Sequence, residues 1–401
     1  MSKIVLVFEQ QPIYLEGAWK INELPDECIV EYWTFLGWRD KTFNADYSKQ
    51  KENIVSICSY EDLLENIKRI SEDKSVVVFY PYHNYDDISF ISRRLLKKYN
   101  IEFCNITEDA AMSQGKSFGG CKALFLGCKK VLQIFLYIIF MILTCKDRRI
   151  FKRLQLYIFR FWGPLKYKAK YNFVTSNRAF QFFPNTLEYF SSRNILLHTL
   201  DYDSFIHNND ERIFSQPYVV FIDQGLINMK WVNNSRKAKQ IVNPDRYLNA
   251  MLDLFLQVEK DGYKIVIAAH PKSKYKDNFF GERPIVYGKT ATLIRDSEFV
   301  IFHFSTCLSM IALYKKPFLQ VGYAELLQNS SIRRAYQSTC KYFGTNYIDP
   351  EECQQLAEWH RYMFSAIDKY EKFLSEFVIA DNSMKKKYRL IDAVVKIITS
   401  K

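Results

Sequence analysis

The chain has little glycine and proline, 13 and 11 in 401 residues, and shows no short-period repeat. That excludes collagen-like and low-complexity architectures. No Walker A stretch and no G-x-G-x-x-G occurs, so an ATPase or a dinucleotide enzyme has little support. There is no C-x-x-C and no Cys/His spacing of a zinc site. The nine cysteines are scattered, odd in number and mostly set in apolar runs, which fits free thiols in a reducing compartment better than disulfides. Helix-turn-helix, RNA-recognition and zinc-finger signatures are missing too, so nucleic acid is not an expected partner. The N-terminus, Met1 to Glu9, lacks the charged region, long apolar core and cleavage site of a signal peptide and reads as a first β-strand, which places the protein in the cytoplasm.

What is present is apolar and basic. Hydrophobic residues make up 48% and aromatics 16%, and Lys and Arg exceed Asp and Glu by 56 to 44, for a formal charge of +12. This length suits two domains rather than one core. The charge favours anionic partners: phosphorylated substrates, phospholipid head groups or nucleic acid.

Short β-rich runs alternate with amphipathic stretches, the pattern of parallel sheets with crossover helices. Strands are expected at 3–8, 28–34, 53–58, 75–80, 101–106 and 172–175, with helices from Tyr60 to Ile70 and from Ile88 to Lys98. Asn194 to Leu200 reads as another strand, and the polar stretch from Asp201 to Gln216 as a linker. A second series opens at Tyr218 and continues through a helix from Tyr247 to Lys260. Strands then end at His270 and His303, and a further one spans Pro317 to Val321. The last segment, from Gln354, reads as largely helical. The domains expected are 1–210, 211–380 and a C-terminal helix, 381–401.

Residues 131–145 are apolar all round but shorter than the roughly twenty residues of a span. Nine Lys and Arg follow between Lys146 and Lys170, opposed only by Asp147 and interleaved with aromatics. The segment from 124 to 170 therefore reads as membrane-seeking, with 131–170 resting on an anionic leaflet. A wholly internal helix with a solvated basic face is the alternative.

Two polar clusters carry the chemistry. The run Lys264 to Ala269 ends in His270-Pro271, and Glu298 to Phe302 ends in His303-Phe304-Ser305-Thr306, ahead of a helical stretch. An imidazole at the carboxyl edge of a sheet, next to hydroxyls at a helix start, suits a phosphate. Phe221-Ile222-Asp223-Gln224-Gly225 puts a carboxylate at another strand end, where it can act as a base or stabilise the turn. His303 either faces the site or packs in the core. Lys272 and Lys274 read as solvated loop cations, with reach to a donor carboxylate as the alternative for either. Glu9, at the end of the first strand, is the reserve base. Asp201-Tyr202-Asp203 has the Asp-x-Asp spacing of metal-dependent transferases of another fold, but lies in the expected linker.

The His-Pro and Ser-Thr motifs resemble those of bacterial sialyltransferases and related CMP-sugar transferases of GT-B fold, over roughly residues 215–325. The stretch from Tyr218 to Pro317, with Asn243 to Tyr247, Gly288-Lys289-Thr290 and Lys315-Lys316-Pro317, is also similar to bacterial surface-polysaccharide biosynthesis proteins. The resemblance implies an α/β GT-B fold, two Rossmann-like domains facing a central cleft with C-terminal helices. It also implies a metal-independent glycosyltransferase, with no cofactor beyond its donor. Asp223 would be the base, with His270 of His270-Pro271 and the Ser305 and Thr306 hydroxyls on the donor phosphate; Lys272 and His303 are donor-site candidates by position alone. The family carries two acidic residues before Gly where this chain has Asp-Gln-Gly. Function is then transfer of a nonulosonic acid or Kdo from a CMP-sugar onto a lipid-linked or growing surface glycan, at the inner face of the bacterial membrane. Alternatives are a CDP-polyol phosphotransferase of teichoic-acid type, which needs a second catalytic histidine and would have to use His303, use of a UDP- or GDP-sugar, or a non-catalytic scaffold.

Overall fold

The computed structural model describes residues 2–8, 24, 28–39, 53–80, 87–107, 163, 165–176, 178, 190–227, 231–232, 238–239, 242–271, 273–379 and 388–399. They form two compact units: residues up to Leu200 with those from Ile379 onward, and Asp201 to Val378.

The first unit is built on a seven-stranded sheet of β1 (Ser2–Phe8), β2 (Cys28–Thr34), β3 (Ile54–Ser56), β4 (Val77–Tyr80), β5 (Phe103–Thr107), β6 (Tyr171–Val174) and β7 (Arg193–Leu196). The order β3-β2-β1-β4-β5-β6-β7 is parallel throughout, as in a Rossmann sheet whose strand order reverses beside β1. Both faces are covered, which is why the strands read as apolar runs instead of alternating. Val78, Tyr80 and Phe103 pack with Leu63, Ile67, Leu95 and Leu96 of the helices Tyr60–Ser71 and Asp87–Lys98. On the other face, Phe79, Cys104 and Ile106 meet Leu390, Val394 and Ile398 of the last helix, Leu390–Thr399. That helix therefore belongs to the core of the N-terminal sheet.

In the second unit, β8 (Val219–Ile222) is followed by a small antiparallel pair, β9 (Trp231–Val232) and β10 (Ala238–Lys239). Then come β11 (Ile265–Ala269), β12 (Phe279–Glu282), β13 (Ile285–Tyr287), β14 (Val300–Phe302), β15 (Phe318–Gln320) and β16 (Met363–Phe364). The main sheet runs β13-β11-β8-β14-β15-β16, parallel except for β16 at the edge. The helix Pro244–Lys260 crosses from β8 to β11. Asn243 caps it by accepting from the Arg246 N–H at 3.1 Å, worth about 1 kcal/mol, and Pro244 fills a first-turn position that has no backbone partner to lose. Its Tyr247, Met251, Leu254, Phe255 and Val258 recur at helical spacing and pack on Val219, Phe221, Ile265 and Ile267. Full burial of each such side chain contributes about 1.5–3 kcal/mol.

The structure corrects several sequence expectations. The stretch read as a linker begins with a helix, Leu200–Ile206, which the aspartates of its first turn favour electrostatically. The segment from Gln354 is largely helical as expected among the described residues, and adds the two-residue edge strand β16. Cys28, Cys58, Cys104, Cys307, Cys340 and Cys353 are free thiols. No helix among the described residues is long and apolar enough to cross a membrane. The apolar run 131–145 and the basic stretch up to 162 lie outside the described residues, as does Glu9.

Candidate functional site

Register brings three strand ends together. Ile222 of β8 pairs with Ala268 of β11 on one side and with Phe302 of β14 on the other. The residues that follow, Asp223, Ala269-His270 and His303 to Thr306, therefore emerge side by side at the carboxyl edge, where the strand order reverses. Apart from His303, they line a cavity of about 440 Å³, within the range of small-ligand sites. Asp223 and Gln224, Ala268 to Pro271, and Phe304 to Leu308 form its walls, with Thr290, Ala335 and Thr339 contributed by two helices.

Asp223 is 4% exposed, and four protein donors hold its carboxylate. Oδ1 accepts from the Gly225 N–H at 2.8 Å. Oδ2 accepts from the His270 N–H at 3.1 Å, the Ser273 hydroxyl at 3.4 Å and the Tyr275 hydroxyl at 2.7 Å. Gly225 has φ +63°, so the turn needs a residue without a Cβ to bring its N–H back onto the carboxylate. Asp223 thus ties the end of β8 to the backbone of His270 and to the loop after it. A carboxylate offers about four acceptor sites. Oδ2 is taken up, and Oδ1 keeps one lone pair. Burial first, then the Asp223 charge, pushes the Tyr275 phenol well above its ordinary range, so it stays a donor.

Ser305 and Thr306 form the turn into the short helix Leu308–Leu313. The Ser305 hydroxyl accepts from the Cys307 N–H at 3.1 Å, and the Ser305 and Thr306 carbonyls accept from Leu308 and Ser309. The Cys307 thiol is pushed up to about 11 by burial, with Ser305 opposing and Asp201 adding to the rise. It remains a neutral thiol at physiological pH.

His303 does not join this site. Its ring is fully buried, with Nδ1 2.8 Å from the Val321 carbonyl and Nε2 2.6 Å from the Tyr247 hydroxyl. The pairing fixes the tautomer: Nδ1 donates to the carbonyl and Nε2 accepts from tyrosine. Burial lowers its pKa to about 4, against the Val321 bond. The expectation that His303 contacts the donor is corrected, because both nitrogens are committed inside the core. Lys272 lies outside the described residues. Asp201 and Asp203 share one helix, and Asp203 pairs with His207 four residues on. Among the described residues no His, Cys, Asp or Glu cluster can hold a metal. Sequence reasoning missed Tyr275, whose only signal is its place five residues after His270 in the loop.

Comparison with solved structures adds the fold. CalG4, the calicheamicin glycosyltransferase, matches with a TM-score of 0.54 at 10% identity, over 100% of this chain and 99% of that one. The wall teichoic acid polymerase TagF, as its H444N variant, matches with a TM-score of 0.51 at 13% identity, over 99% and 89%. The chain has a GT-B-like fold: two Rossmann-like sheets with C-terminal helices. No protein-family model matches it, and no curated protein does.

Proposed function

We propose that the protein is a glycosyltransferase that moves a nonulosonic acid or Kdo from a CMP-sugar onto a lipid-linked or growing surface glycan. The observation that carries this reading is the convergence of His270, Ser305, Thr306 and Asp223 on one cavity at the reversal point of the second sheet. The leaving group of such a donor is a phosphate monoester whose charge grows as the glycosidic bond breaks. Donors fixed in advance at that position lower the barrier, and loss of one costs about 10²–10³ in rate. The His270 ring and the two hydroxyls fill that role. The acceptor hydroxyl gives up its proton as it attacks, and Asp223 Oδ1, which holds one bond, is the atom to take it. Glu9, which follows β1, is the reserve.

The fold shared with CalG4, a glycosyltransferase, supports the class. TagF, a wall teichoic acid polymerase, keeps a CDP-polyol phosphotransferase in view. That reading needs a second histidine at the site, and His270 is the histidine among the described residues that line the cavity. The segment 131–170 would hold the enzyme to the anionic inner leaflet, next to an acceptor on a lipid carrier. The test is release of CMP from a panel of CMP-sugars, CDP-glycerol and CDP-ribitol with an extracted lipid-linked acceptor. Turnover with a CMP-nonulosonate or CMP-Kdo supports the reading, and turnover only with CDP-ribitol or CDP-glycerol replaces it with the second.

A further inference from the structure

Gln224 has no part in the chemistry assigned to the cavity, yet it holds a central place there. Asp223 Oδ1 closes a turn by accepting from the Gly225 N–H, and Gln224 is the residue that this turn encloses. Continuing the pairing of Ile222 with Ala268 and with Phe302 by two residues sets Gln224 level with His270 on one side and with Phe304 on the other. Its half-buried side chain lines the cavity between those two strand ends. The neighbouring Asp223 carboxylate is taken by four protein donors, whereas the Gln224 amide makes no hydrogen bond to another described residue. Among the described residues that line the cavity, Gln224 carries the one side-chain amide, and none is Lys or Arg. Two uncommitted N–H donors facing a ligand-sized space are a ready contact for an acceptor group of the ligand.

We propose that Gln224 is a specificity-determining residue: its amide binds the carboxylate of the donor sugar and so selects an ulosonic acid over a neutral sugar. The inference rests on the reading of His270, Ser305 and Thr306 as the grip on the donor phosphate. In a CMP-ulosonate the carboxylate sits on the anomeric carbon, which a single oxygen joins to phosphorus. A group placed between the two strand ends that hold the phosphate therefore stands beside the carboxylate. The amide donates to a carboxylate oxygen, a charge-assisted bond stronger than one to a neutral acceptor. It adds no charge of its own, whereas a second carboxylate next to Asp223 would repel the donor.

The test is calorimetric titration of the full chain, without acceptor, for wild type, Gln224→Met and Gln224→Glu. The probes are CMP, CMP-N-acetylneuraminate, CMP-Kdo and the carboxyl methyl ester of each CMP-sugar. Methionine keeps the length of the side chain without its donors, and esterification removes the negative charge while leaving the rest of the sugar in place. Wild type is expected to bind at least one free acid about tenfold more tightly than its ester. That preference should shrink to about twofold or less in Gln224→Met and reverse in Gln224→Glu, where like charges meet. CMP, which lacks the sugar, should bind wild type and Gln224→Met within about twofold of each other. An acid preference that is absent from wild type or persists in Gln224→Met, or CMP weakened in Gln224→Met as much as the CMP-sugar, overturns the inference and leaves the phosphate site standing. Absence of CMP binding to wild type overturns both. Should Gln224→Met fail to fold, Gln224→Glu decides alone: an acid preference retained there overturns the inference, and a reversed one supports it.

Discussion

In the second unit, the polar residues at the carboxyl edge of the sheet bond to one another and line a cavity: Asp223 holds the His270 backbone, and Ser305 closes its own turn. In the first unit, polar residues sit in register inside the sheet instead. Asn105 of β5, Asn172 of β6 and Asn194 of β7 are paired neighbours. Asn172 accepts from Thr107 at 2.7 Å and donates to Asn194 at 2.9 Å. Asn105 is fully buried, and neither its amide nitrogen nor its oxygen has a partner among the described residues. The same parallel architecture thus carries a set of polar groups arranged around a space in one unit and a buried polar row in the other.

The largest expected effect breaks the second unit's site and leaves both sheets intact. His270→Ala should lower turnover by about 10²-fold or more, while the Asp223 bond, which is to the backbone N–H, survives. Steady-state kinetics and a melting curve check it. Asp223→Asn should cost stability as well as turnover, because an amide cannot replace the carboxylate towards all of its donors.

His303 gives the next effect, on stability. His303→Ala strands the Tyr247 hydroxyl in the core, leaves the Val321 carbonyl with its bond from the Tyr336 hydroxyl alone, and should cost about 2–4 kcal/mol in a denaturant titration. Its pH sign is set by its lowered pKa. The unfolded chain binds the proton first, so stability is lost as pH falls from about 6.5 towards about 4, by roughly 3 kcal/mol. Asp201, raised to about 6, works the other way: the folded protein binds the proton first, and stability is regained over nearly the same interval. Wild type should therefore lose little from this pair on mild acidification. Asp201→Asn should expose the His303 loss, measured as denaturant midpoints at several pH values.

Smaller effects sharpen the contrast from the side of the first unit. Asn105→Leu, which removes two unpartnered amide atoms, should stabilise the chain by about 1–2 kcal/mol, whereas Asn172→Leu should destabilise it by a similar amount. Equal signs would show that the row acts as one network. Neutralising Arg148, Arg149, Lys152 and Arg153 should weaken flotation with anionic liposomes, at about 1 kcal/mol per residue removed.

Much of this contrast could be read from the sequence, and the limits have physical causes. Runs such as Ile265–Ala269 and Val219–Ile222 are apolar on both faces, so their strands and the polar residues after them stood out. Short elements did not: β13 and β16 owe their place to pairing partners far along the chain. The helix Leu200–Ile206 was masked by the aspartates that stabilise its first turn. His270 and His303 follow strands in the same way and are indistinguishable by position. Only the Tyr247 hydroxyl and the Val321 carbonyl, 56 and 18 residues away, assign one to the core. The passage of the chain back to the first unit at Ile379 likewise depends on packing between Leu390–Thr399 and strands near the other terminus.

The most direct measurement is calorimetric titration of CMP into wild type, His270→Ala and the Ser305→Ala/Thr306→Val double variant. Saturable binding that weakens at least about tenfold in each variant is the predicted result. Binding that is absent, or unchanged when the imidazole and both hydroxyls are removed, would contradict the account.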